Sequence, residues 1–497
     1  MNPRLLAKTL IKNQFSIFSR PYYTNRTNTV TLYSKISPLG SPGLSVVPEL
    51  DNWIDNGKKV RVAELQRIIR DLRKRSRYTQ ALEVSEWMNQ KGICLFSPAE
   101  HAVHLDLIGK VRGFAAAEDY FNNLRNRDKT DKTYGALLNC YVRQRQTEKA
   151  ISHWEKMREM GFASTSLAYN DIMCLYTHGG QYEKVPDVLA EMKKNSVSPD
   201  NFSYRICINS YGVRNDIEGM ERVLNEMEGQ QHIAMDWNTY AVAANFYIKA
   251  GLADKAIDAL KKSEEKLDKK EKDGTAYNHL ISLYATLGSK AAVLRLWELQ
   301  KSACKRRINR DYINVLKALV KLGEFEEAVE VLGEWESSGN CYDVRVPNCL
   351  VAGFAERGLC DEAKSLLEDL VERGKAISHK SWGIVAGGYL DIGELAKAFL
   401  SMKAALCIDV EGKEWKPEPR VITGILNWLG DEGSSEDAEA FVASLRNFIP
   451  MSREMYHALL KAKVREGKEV KGLLIGMRMD KLDENDETKK ILSMRQV

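Results

Sequence analysis

Residues 166–200 read SLAYNDIMCLYTHGGQYEKVPDVLAEMKKNSVSPD, and these thirty-five positions decide the fold. Two short amphipathic helices are predicted in them. The first lies around Tyr169–Tyr176 and closes at Gly179-Gly180; the second lies around Tyr182–Lys194 and ends in a polar turn reaching Pro199-Asp200. Glycine relieves the backbone where one helix stops, and proline does not continue the next. A single pair of helices this short cannot bury its apolar faces and is marginal in water. The unit therefore needs neighbours of its own kind.

The sequence supplies them. Aromatic residues in the same phase stand at Tyr134, Tyr169, Tyr204, Tyr240, Tyr277 and Tyr312, separated by 35, 35, 36, 37 and 35 residues. Pro347, Trp382, Ile422 and Tyr456 continue the register. Sixteen residues after the marker a small residue recurs, at Ala81, Ala117, Ala150, Ala256, Ala328, Ala363, Ala398 and Ala438. Two independent marks in one phase define a helical repeat array. The expected fold is all-α, a right-handed α-solenoid of about eleven helix-turn-helix repeats.

The opening Leu167-Ala168-Tyr169-Asn170 and the closing Ser198-Pro199-Asp200 resemble the unit of the pentatricopeptide repeat family, over roughly residues 62–486. Within that family the chain looks like the plain class of plant organelle members, made of repeats alone. Tetratricopeptide repeats are the nearest rival, but their 34-residue period and tryptophan-leucine-glycine signature are missing.

Around the array, residues 1–45 read as a transit peptide and linker, 46–61 as a lead-in helix and 487–497 as a C-terminal tail. The first 48 residues contain no Asp or Glu, and Arg4, Lys8 and Lys12 fall four apart on one helical face. That composition points to mitochondrial import, with the chloroplast as the alternative. Without the six leader cations, 67 of the 73 Lys and Arg face 68 Asp and Glu. Binding of a polyanion must then come from where the charges lie, since bulk basicity is absent. No apolar run reaches membrane-spanning length.

Nothing in the sequence assembles a catalytic centre. His101 and His104 stand three apart but lack a third ligand at metal-binding spacing, so no metal and no cofactor are expected. Glycine-rich phosphate loops and nucleophile elbows are missing, and nine scattered cysteines read as packing residues. The expected role is organelle RNA binding without catalysis, in processing, stability or translation of a transcript. The alternative is a scaffold that binds the mitochondrial ribosome or other proteins. Single-stranded RNA is the first expected partner.

The resemblance also implies site residues. In the family each repeat reads one unpaired base through its fifth and last residues. Asn170 with Asp200 matches a uridine-type pair, Asn348 with Ser378 a cytidine-type pair, and Asn278 has the right fifth residue but Ile308 at the close. Elsewhere the fifth residue is Gln66, Ala102, Gly135, Arg205, Ala241, Ile313, Gly383 or His457, and most of these depart from the code. The thirteenth residue is Lys74, Lys110, Arg143, Lys249, Lys321 or Arg465 in six units, placed to meet phosphates. In three later units it is Glu356, Asp391 or Asp431, so RNA is expected on the part before about Asp343.

Overall fold

The computed structural model describes residues 31–40, 43–267, 274–408 and 415–494. Arg4, Lys8 and Lys12 lie outside the described residues. Packing divides the chain into two compact units, one ending at Ser210 and one beginning at Tyr211. Every regular element among the described residues is helical, and none of the helices is long and apolar enough to cross a membrane.

In the first unit, Leu32–Ile36 and Val47–Asp55 precede a row of helix pairs. The pairs are Val62–Lys74 with Tyr78–Gln90, Pro98–Val111 with Phe114–Asn122, Asp131–Arg143 with Thr147–Glu159, and Ser166–His178 with Val185–Lys194. In the second unit the same arrangement runs from Trp237–Lys249 with Ala253–Glu265 to Arg453–Arg465 with Lys471–Met479. Within each unit the first helix of a pair packs on its partner and on the first helix of the next pair. Each unit is thus an α-solenoid segment.

The repeat marks explain the packing. Tyr134, Tyr169, Tyr204, Tyr240, Tyr277 and Tyr312 are all buried, and the eight alanines at the small position have no exposed surface. A larger side chain there would meet the neighbouring helix directly. Val185, Met220 and Val293 fill the same position in three other units, also without exposure.

Local chemistry sets the helix ends. Helix Ser166–His178 starts three residues before the sequence predicts, because Thr165 already holds the extended conformation of an N-cap. The second element of that repeat begins as a 3-10 turn, Tyr182–Lys184, and becomes α-helical only at Val185. Pro186 has no N–H to bond back to residue 182, so a regular α-helix cannot run through the turn. Two residues after several first helices the backbone turns left-handed, at Gly180, Gly251 and Gly288, where glycine carries no steric penalty.

Ion pairs cross from one repeat to the next on the second helices, including Glu118 with Lys149 at 2.6 Å, Glu221 with Lys255 at 2.6 Å and Asp361 with Lys397 at 3.1 Å. Such exposed pairs contribute little individually and mainly hold register. At the end of the second unit, helix Asp486–Ser493 lays Ile491 against Leu460, Val464 and Val470. A boundary at 486 therefore falls on the first residue of a packed helix.

Candidate nucleic-acid interface

In each unit the first helices present one face to a groove. In the second unit a groove of 780 Å³ runs over Asn309–Leu322, Pro347–Glu356 and His379–Asp391. Lys317, Lys321, Arg345, Arg357 and Lys380 line it against a single acid, Glu356. In the first unit a 510 Å³ groove crosses Pro98–Val111 and Asp131–Arg143, with Ala102, Gly135 and Ala136 among its lining. The second, fifth, ninth and thirteenth residues line these grooves in two units, as Ala99, Ala102, Asp106 and Lys110 and as Arg345, Asn348, Ala352 and Glu356. Fifth residues without hydrogen-bonding groups, such as Ala102, Gly135 and Ile313, leave the floor apolar.

The structure joins Asn170 to Asp200. Asn170 is buried, and its Nδ2 donates to both Asp200 oxygens at 3.1 and 3.3 Å. The Ser203 hydroxyl donates to Asn170 Oδ1 at 2.7 Å, and the Ser166 hydroxyl to Asp200 Oδ2 at 2.9 Å. Burial pushes the Asp200 carboxyl up, but donors from Ser203, Ser166 and Asn170 outweigh it and hold the group below the usual carboxylate range. Asp200 also accepts the Ser203 backbone N–H at 2.8 Å. It is the N-cap of helix Asn201–Val213, so its identity has a local cause besides any ligand. Beside this network Leu167 is 60% exposed and Phe202 45% exposed.

Asn278 finds a different partner. Its Nδ2 donates to Asp311 Oδ1 at 2.7 Å, and Asp311 Oδ2 accepts the Ile308 N–H at 2.8 Å. The third residue of the next helix takes over the capping that Ile308 cannot perform. Asn348 and Ser378 are not brought together by a hydrogen bond. Ser378 caps its own helix through the Ser381 N–H at 3.2 Å, while the buried Oδ1 of Asn348 has no protein partner and its residue lines the basic groove.

The thirteenth-position cations fall into two groups. Lys110 and Arg143, with Arg73, converge on Asp106 at 3.0, 3.2 and 2.9 Å. Burial raises the Asp106 carboxyl, yet these three cations reverse the effect and keep it ionised. Lys74 and Lys249 are exposed, with no ion pair among the described residues, and Lys321 donates to Thr286 Oγ1 at 2.9 Å. Two of the three acids expected to repel RNA in the last third have cationic partners, Asp391 with Arg420 and Asp431 with Lys461. Glu356 shares its groove with five cations.

One set of residues escaped the sequence reading. The second residue is basic in four consecutive units, Arg310, Arg345, Lys380 and Arg420. Its signal was the same in-phase repetition that revealed the tyrosines. His101 and His104 form no metal site: His101 Nδ1 meets the Tyr120 hydroxyl at 2.7 Å, and His104 Nδ1 meets the Ser85 hydroxyl at 2.8 Å. Burial pushes His104 down to about 4, so it stays neutral.

These features define a helical-repeat protein with a basic groove on its first helices. The pentatricopeptide repeat family profile matches residues 164–213, and its single-repeat profile matches 132–162, 202–231, 312–340 and 346–374. A mitochondrial pentatricopeptide repeat-containing protein of Arabidopsis thaliana is 58% identical over 96% of this chain and 97% of its own length. The chain belongs to the pentatricopeptide repeat family. The Arabidopsis large ribosomal subunit protein mL101 is 34% identical over 93% of this chain and 94% of its own length. Among solved structures, the maize pentatricopeptide repeat protein PPR10 is 19% identical, covering 94% of this chain and 70% of its own, with a TM-score of 0.48. The mitochondrial location expected from the acid-free leader agrees with the names of several relatives.

Proposed function

We propose that this chain is a mitochondrial RNA-binding solenoid that serves RNA metabolism by holding RNA, without catalysing a reaction on it. The observation that carries this reading is the 780 Å³ groove, lined by Lys317, Lys321, Arg357 and Lys380 without an ion pair among the described residues and by Arg345 paired with Asp343, against the single lining acid Glu356, in a chain whose overall charge is close to balanced. Cations concentrated on one concave face are an electrostatic footprint for phosphate. Polar base reading is confined to few repeats, with Asn170/Asp200 as the formed pair and the unpartnered Oδ1 of Asn348 as a second polar group in the groove. Lys74, Lys249 and Lys321 extend the phosphate contacts, whereas Lys110 and Arg143 are committed to Asp106.

A second reading, association with the mitochondrial ribosome, is favoured by the resemblance to mL101 over nearly the whole chain. Phosphate gripping with little base reading suits folded ribosomal RNA as well as a transcript. The test is binding of a random 30-nucleotide RNA pool across a salt series. Replacing Lys317, Lys321, Arg357 and Lys380 by Gln should weaken binding and flatten the log–log salt slope by up to roughly 3, about 0.7 per lost phosphate contact on a single strand. An unchanged slope would remove the groove from the account.

A further inference from the structure

The unit 379–418 is five residues longer than the 35-residue standard, and the extra length lies in the loop between helix Leu395–Leu406 and helix Pro419–Asp431. Trp415 lies against His379, the first residue of helix His379–Asp391. The indole stacks on the His379 imidazole with centroids 4.9 Å apart and planes 11° from parallel. Phe448 meets Trp415 edge-on at 5.4 Å and His379 at 5.5 Å. His379 is itself 8% exposed, and its Nδ1–H donates to the Ala405 carbonyl at 2.8 Å. The indole is therefore held by a fixed ring on one face and a second ring at its edge, while Trp415 remains only partly buried.

The fifth residue of this unit is Gly383. Among the described residues, a Cβ built there would meet Trp415 Cζ2 at 3.7 Å, an ordinary van der Waals contact. Where other units project an asparagine, this one has the edge of an indole. Lys380 and Arg420, the second residues of this unit and the next, are exposed. Lys380 lines the basic groove, and Arg420 pairs with Asp391 and Glu418.

We infer that Trp415 is a stacking platform for one unpaired RNA base, received on the indole face turned away from His379. Aromatic faces combined with lysines that follow the backbone are how single strands are held without sequence reading. A base against a pre-positioned indole costs the protein side little freedom, and glycine at 383 lets the indole edge lie close to the helix. Trp415 thus substitutes shape and stacking for the hydrogen bonds that the fifth position supplies elsewhere. The assignment rests on the RNA reading above.

The test uses the full mature chain and a fluorescent random 30-nucleotide single-stranded RNA pool, with 4-thiouridine in a parallel crosslinking arm. Trp415→Leu keeps apolar bulk but removes the π face, and should weaken binding roughly 5- to 150-fold, the range found for losing one stacked base. Trp415→Phe should recover most of the affinity. Gly383→Leu sets added bulk against the indole edge and should weaken RNA binding by disturbing the platform, whereas Gly383→Ala, whose Cβ fits at ordinary contact distance, should bind RNA like the parent. A Trp415 that only closes the loop would not produce that result. Crosslinks should map to the peptide that contains Trp415. Equal binding by Trp415→Leu and the parent, or full binding by Gly383→Leu, would overturn the assignment while leaving RNA binding standing. A parent that binds no RNA in the pool would overturn both.

Discussion

Asp171→Asn isolates the cost of a buried carboxyl in the repeat that decides the fold. Asp171 is 6% exposed; its Oδ1 accepts the Asn139 Nδ2–H at 2.8 Å, and its Oδ2 has no partner. Burial pushes the carboxyl up from 3.8 to about 7, against the opposing hydrogen bond from Asn139. Below about pH 4 the group is protonated in both folded and unfolded chains, and it costs nothing. As pH rises the unfolded chain ionises first, so the folded state loses stability until the folded group ionises too. At about 1.4 kcal/mol per unit, the full cost above pH 7 is about 4 kcal/mol. Asparagine keeps the acceptor for Asn139 but leaves an amide unpaired, which costs about 1 kcal/mol. The net gain is about 3 kcal/mol at pH 8.5 and falls to about 0.6 kcal/mol at pH 5. A repeat array can open piecewise, so the assay is hydrogen exchange of the amides in Ser166–His178 at both pH values. Equal gain at pH 5 and pH 8.5, or a loss at both, would refute the reasoning.

Three further outcomes follow from the packing. Ala150→Leu and Ala328→Leu should each lower stability by about 1–3 kcal/mol in denaturant titrations, since neither alanine has exposed surface and the added bulk has nowhere to go. Arg145→Gly should raise the melting temperature, gaining about 1 kcal/mol, because Arg145 has φ 57° at the turn position where Gly180 and Gly251 stand in other repeats. Asn170→Ala should cost about 1–3 kcal/mol of stability before any RNA is added, by stripping partners from Asp200 and Ser203. Its RNA affinity must therefore be compared at matched folded fraction.

The array was legible because two residue types repeat in one phase, and a buried tyrosine and a zero-exposure alanine are what packed helix pairs require. The candidate site was only half legible. Asn170 and Asp200 could be paired from position alone, but the wrapping of Asn170 by Ser203 needed coordinates. Asp106 draws cations from three successive units, and no linear pattern announces such a convergence. The relief of Ile308 by Asp311 depends on which helix end an acid reaches, three residues into the next repeat. Arg310, Arg345, Lys380 and Arg420 were within reach of the same phase argument that exposed the tyrosines. Trp415 was not, because an insertion breaks the register and only its stack on His379 shows where the indole lies.

The central claim is that the basic first-helix groove holds mitochondrial RNA. Ultraviolet crosslinking of the tagged protein inside mitochondria, followed by sequencing of the attached RNA, measures this most directly. The account predicts discrete crosslinked RNA segments, lost when Lys317, Lys321, Arg357 and Lys380 are replaced together by Gln. Recovery of no RNA above an untagged control, or of the same RNA from the groove variant, would contradict it.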